Sequence, residues 1–253
     1  MHDEDYEEFN DDIASYQNPK EIEPMALSES LRRIVFLDDD IYIRLQAINI
    51  GLVDKFIMDL EYKVLRDHFE MERTPPETFF LSAQSQMWIF AIYELLRTWQ
   101  ERAKEIIKLS KNCSVHTKLN ALKEKVYDYE HFGHNNQMRR FEEVLANPSL
   151  IDTLKNQLSH LHTPFTYLEH IRVSLAKHEV SGRPKSVALS PGYGRINNLC
   201  GSLDYELENG YFSLGTISRR DIADMIRNID FNTEPPTEEQ QKMLEKCLAG
   251  KLV

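Results

Sequence analysis

Apolar residues recur at helical spacing through most of this chain. From Ile41 to about Met71 they fall at Leu45, Ile48, Leu52, Phe56, Leu60 and Val64, which predicts one long amphipathic helix. A shorter helix is predicted at 28–37, and Asp38, Asp39 and Asp40 break the pattern and can cap the next one. Gly51 costs the long helix a little. Thr74-Pro75-Pro76 ends it, because the residue before a proline avoids helical geometry. Residues 77–110 carry the strongest helical signal. Their middle, MWIFAIYELL, is apolar nearly all round, which suits a helix at the centre of a bundle. Trp88 and Trp99 lie close to three turns apart and share a face. Further helices are predicted at 115–146, with a break near Gly133-His134-Asn135-Asn136, at 149–161, and from Pro164 to about His178.

The period changes after residue 180. Residues 181–198 are rich in Gly, Pro and Ser and read as a loop. Ser202–Leu207 and Tyr211–Thr216 then flank Glu208-Asn209-Gly210, a hairpin signal. Ser218 with Asp221, and Thr237 with Gln240, mark the starts of two last helices, to about Ile229 and to Gly250. The fold expected is mostly α: a multi-helix bundle with a C-terminal β-hairpin and two short helices packed on it. A lone hairpin is unstable. The expected organisation is therefore an acidic, flexible tail at 1–26 and one helical domain at 27–253, with 181–217 as a loop and hairpin appendage.

Composition narrows the class. Hydrophobic residues make up 42% of 253, enough for a core, and nine glycines with ten prolines are few for an all-β chain. No apolar run reaches the length of a membrane span. The acidic start, MHDEDYEEFNDD, does not resemble a signal or transit peptide. Cys113, Cys200 and Cys247 stand far apart, which points to free thiols and a cytoplasmic setting. Net charge is −11, unevenly placed. Residues 1–24 hold nine acids against Lys20, and the remainder is nearly balanced, at 32 acids to 29 bases. Such a chain does not supply the clustered positive charge of a non-specific nucleic-acid binder. The tail, with Tyr6, Phe9, Ile13 and Tyr16 spaced singly, reads as a solubilising arm or as an arm that docks on a basic surface.

Four constellations could carry chemistry. Arg172 and His178 lie six residues apart in LEHIRVSLAKHEV. Arginine grips phosphate and histidine titrates near neutral pH. This spacing at the end of a bundle helix is similar to the motif of the HEPN ribonuclease family, which implies RNA cleavage by that pair. The polar residue that often follows the family's arginine is Val173 here. Six residues on a helix lie about 120° apart, so convergence requires a helix end between them. The second constellation is an anion cradle: Gly192 and Gly194 for close backbone approach, Arg183, Lys185 and Arg195 for charge, and Arg219 and Arg220 at a helix start. Those arginines can equally pair with Asp204, Glu206, Asp221 and Asp224. The third is Asp128, His131 and His134, at metal-ligand spacing. The last is Glu94 with Arg97, an ion pair inside the apolar helix. No nucleophile elbow, zinc-protease pair, P-loop or dinucleotide fingerprint occurs.

The function these features favour is that of a soluble helical binding or regulatory protein acting through a protein partner, without cofactor, bound metal or membrane contact. Homo-oligomerisation is compatible with it. The alternatives are an RNA-cleaving bundle and a metal-dependent enzyme.

Overall fold

Asp40 starts the architecture. Its carboxylate accepts from the Tyr42 backbone N–H at 3.1 Å and opens α2 (Ile41–Met71). It also receives Arg102 from α3 (Glu77–Lys111) at 3.2 Å. A computed structural model describes residues 16–125, 127, 131–177, 193–208 and 213–249. These hold α1 (Ala26–Arg32), α2, α3, α4 (Val115–Lys123), α5 (Phe132–Ala146), α6 (Leu150–His160) and α7 (His162–Lys177). Strands β1 (Gly194–Ile196), β2 (Leu203–Glu208) and β3 (Ser213–Ser218) follow, then α8 (Arg219–Arg227) and α9 (Glu238–Leu248). The fold is mostly α, with a small antiparallel sheet of order β1-β2-β3 near the C-terminus.

The central position expected for α3 is the one observed. Trp88, Ile89, Ile92, Leu95, Leu96 and Trp99 are all buried. Each indole N–H finds a carbonyl, Trp88 on Ile50 at 3.3 Å and Trp99 on Val35 at 2.8 Å. α2 runs antiparallel beside α3, α1 crosses α2, and α6, α7 and α8 also pack on α3. The crossing explains Gly51: a Cβ there would sit 2.8 Å from Ser28 Cβ, so only glycine lets α1 come so close. The helical span predicted at 115–146 holds two helices, α4 ending at Lys123 and α5 beginning at Phe132, so Gly133 lies within a helix rather than at a break.

Both predicted capping boxes are present, Ser218 with Asp221 and Thr237 with Gln240. The hairpin strands lie one to two residues later than expected, with a register shift at Leu207/Glu208. The turn Asn209-Gly210 lies outside the described residues. β1 comes from a segment read as loop. Its three residues pair with Leu203, Asp204 and Tyr205, too short a run to show alternation. Leu203, Tyr205 and Leu207 turn their side chains into the core, seating the sheet on α3 and α7. At the other end of the chain, Ile22 is buried and Tyr16 donates to Asp221 at 2.7 Å.

Gly201 sets how closely the sheet approaches α2. It has φ +76°, and a Cβ there would fall 2.0 Å from the Glu61 carbonyl oxygen. Backbone cannot yield as a side chain end can. Gly201→Ala is therefore expected to cost about 3 kcal/mol or more, read from urea unfolding midpoints at unchanged slope.

Candidate functional sites

Arg219 and Arg220 open α8 at its N-terminus, where the sequence suggests an anion site. Both guanidiniums are instead sealed from solvent. Arg219 makes a bidentate pair with Glu61, Nε to Oε1 at 3.0 Å and Nη2 to Oε2 at 2.8 Å, and Nη1 reaches Asp54. Ser202 Oγ donates to the same Glu61 carboxylate at 2.7 Å, and the guanidinium stands 5.2 Å from the Trp88 ring centre. Arg227 closes the group by pairing with Asp54 and Asp224. Arg220 holds Asp224 at 2.9 Å and the Gln17 carbonyl at 2.6 Å. Burial opposes the charge on Arg219, but Glu61 and Asp54 more than offset it and hold the guanidinium protonated above its ordinary value. These arginines already have anionic partners. They serve as a joint between α2 and α8, and their assignment to an external anion is corrected by their burial.

The rest of the expected anion loop is divided. Arg183, Lys185 and Gly192 lie outside the described residues. Gly194 faces Leu203, where a Cβ would come within 2.7 Å of Leu203 Cβ, so its smallness serves strand packing. Arg195 is exposed, opposite Asp204 in the sheet register. Gly194 and Arg195 do line a cleft of about 570 Å³ with His68, Thr78, Phe79 and Tyr193. That volume falls within the range of small-molecule sites.

His178 likewise lies outside the described residues, so its approach to Arg172 is not defined. α7 spans His162–Lys177, so Arg172 lies well inside the helix. The Arg172 guanidinium stands over the Tyr93 ring, 4.6 Å from its centre. Asp128 is outside the described residues too. His131 caps α5 by accepting from the His134 N–H, and the two imidazoles stand 6.3 Å apart with Tyr127 beside both. Among the described residues, no three His, Cys, Asp or Glu side chains converge as a metal set. Glu94 and Arg97 pair at 2.7 Å on a partly exposed surface, with Glu101 as a second partner of Arg97.

The feature that sequence periodicity hid is on the outer face of the α2/α3 hairpin. Tyr42, Leu45, Leu52 and Phe56 on α2, with Phe80 and Met87 on α3, are 49–65% exposed. Phe56 and Phe80 meet edge to face at 6.3 Å, which joins the two lines. Leu45, Leu52 and Phe56 belong to the pattern from which α2 was predicted, but α2 turns them outward. Its buried face is Ile43, Ala47, Ile50, Ile57 and Val64, with Asp54 and Glu61 set among them. Two interleaved apolar stripes, with two carboxylates on the core-facing one, are the signal that distinguishes the faces.

No protein-family model, curated protein or solved structure matches this chain. Its function is accordingly read from its own geometry. Among the described residues no helix is long and apolar enough to cross a membrane.

Two outcomes follow. Arg219→Met strands the Glu61 carboxylate in the interior, while Asp54 keeps Arg227, and is expected to cost about 3–5 kcal/mol in chemical unfolding, whereas the double change Glu61→Leu, Arg219→Met recovers most of that loss. The second concerns His170 on α7, which is buried with Nε2 unpartnered. Burial lowers its pKa below the ordinary value. The unfolded chain then binds a proton that the native chain refuses, so this contribution is complete above about pH 6.5 and falls as pH drops below it. His170→Leu should flatten the unfolding free energy between pH 6.5 and the onset of carboxylate titration, measured against wild type by urea titration.

Proposed function

We propose that this chain is a non-catalytic helical binding protein that docks an amphipathic helix of a protein partner along the outer face of α2 and α3. The exposed line of Tyr42, Leu45, Leu52, Phe56, Phe80 and Met87 carries this reading. Single exposed apolar residues are ordinary on a protein surface, but six of them along one face of two adjacent helices mark an interaction site. Tyr42 to Phe56 spans about 21 Å of helix axis at 1.5 Å per residue. A partner helix laid along it would present anchors at i, i+3, i+4 and i+7. Burying four or five such side chains supplies the apolar centre that a stable interface requires.

The free thiols of Cys113 and Cys200 fit a reducing, cytoplasmic setting, and burial pushes the Cys200 thiol up to about 12, which suppresses its reactivity. The carboxylate and guanidinium cluster around Glu61 is closed to substrate, which also favours binding over catalysis.

A photo-reactive amino acid placed at Phe56 in host cells is expected to form a discrete adduct with a second protein. The same probe at Glu238, exposed on α9, should not. Leu52→Ser with Met87→Ser should abolish the adduct while changing stability by less than about 1 kcal/mol, since both side chains are already exposed. Adducts only between copies of this chain would replace the reading with self-assembly, and no adduct at Phe56 would contradict it.

A further inference from the structure

A second cavity, of about 220 Å³, opens between α3 and α5, lined by Arg102, Glu105, Ile106, Gly133, Gln137, Arg140 and Phe141. Arg140 is only 6% exposed, and its Nη1 is buried without any hydrogen-bond partner. The nearby acids already pair with other bases. Asp40 holds Arg102 at 3.2 Å, Glu105 holds Lys118 at 3.2 Å, and Arg139 lies between Asp39 and Glu143 at 3.9 and 3.7 Å. Arg140 is thus a surplus positive charge in a desolvated place. Burial, reinforced by the charge of Arg102, lowers its pKa to about 10. A buried cation without a partner is costly, and an anion would relieve that cost.

The rest of the lining is suited to an anion. Gly133 stands in the first turn of α5, where His131 takes the N–H groups of His134 and Asn135 and leaves those of Phe132 and Gly133, and where the helix dipole favours negative charge. Gln137, one turn on, adds an amide donor. Ile106 and Phe141 form an apolar wall that keeps the local dielectric low. The Glu105 carboxylate also faces this space, with its charge offset by Lys118.

From these observations we infer that the cavity between α3 and α5 is a binding site for a phosphate-class oxyanion, with Arg140 as its bidentate partner and Arg102, Gln137 and the first turn of α5 completing the cradle. Arginine suits this task because its planar fork matches two oxygens of a phosphate. The volume admits one oxyanion head and little more, so any larger ligand would enter by its phosphate end. This site is separate from the α2/α3 outer face and does not depend on it.

The test is titration of the wild-type chain with inorganic phosphate at constant ionic strength, followed by thermal unfolding and by ³¹P line width. A saturable rise of about 4 °C at about 20 mM phosphate is expected, as for a ligand of roughly millimolar affinity, with none from matched chloride. Arg140→Met should abolish the rise, and Gln137→Leu, which leaves the buried charge in place, should weaken it several-fold. Phenyl phosphate distinguishes the source: tighter binding than inorganic phosphate marks the site as reading a phosphate ester, and exclusion marks it as reading the free ion. Absence of ³¹P broadening with wild type, or equal broadening with Arg140→Met, would overturn the inference.

Discussion

Where α2 meets α8, the guanidiniums of Arg219 and Arg227 are sealed against the carboxylates of Asp54 and Glu61, with Arg220 and Asp224 beside them. Three acids face three bases in this group. Removing so many charges from water is expensive, and the cost is offset because nearly all their donors and acceptors are matched, Arg220 Nη1 being the exception. Ser202 takes up a further lone pair of Glu61, and the Trp88 ring lies beside Arg219. The arrangement rejects near misses. A sheet displaced from α2 would leave Glu61 without Ser202, and an α8 rotated on its axis would leave Asp54 unpaired. The ions therefore fix how the C-terminal sheet and α8 meet the bundle, while the apolar core around α3 supplies most of the driving force for folding.

Much of the helical framework is legible in the sequence, because long periodic segments and proline punctuation act locally. The bounds of α2 and α3, and both capping boxes, come from residues within a turn of each other. What local pattern cannot show is partnership across distance. Arg219 at a helix N-terminus resembles an anion site until Glu61, 158 positions earlier, is seen in contact with it. The same blindness applies to α2. Its apolar positions serve two faces, and only the position of α3 decides that Ile43 and Ile50 are buried while Leu45 and Leu52 are exposed. β1 carries no local signal, because its three residues become a strand only by pairing with β2. Arg140 gave no signal at all, since its isolation depends on how the surrounding acids are shared among other bases.

The two proposed sites divide the bundle between them. One is a broad apolar face on α2 and α3, suited to another protein. The other is a small cationic cavity behind the far half of α3, suited to an anion. Both use α3 as their floor, and α3 is the helix that the rest of the bundle surrounds. The C-terminal elements contribute to neither site. They brace α2 from the side opposite the exposed face, so that its outward residues keep a fixed spacing.

Native-state amide hydrogen exchange tests that bracing most directly. If the buried ion group unites α2 and α8, the amides of Asp54–Glu61 and those of Ile222–Ile226 exchange only through the same large opening, with free energies equal to each other and close to that of global unfolding. If Ile222–Ile226 exchange through a smaller, separate opening while Asp54–Glu61 remain protected, the ion group does not unite α2 and α8.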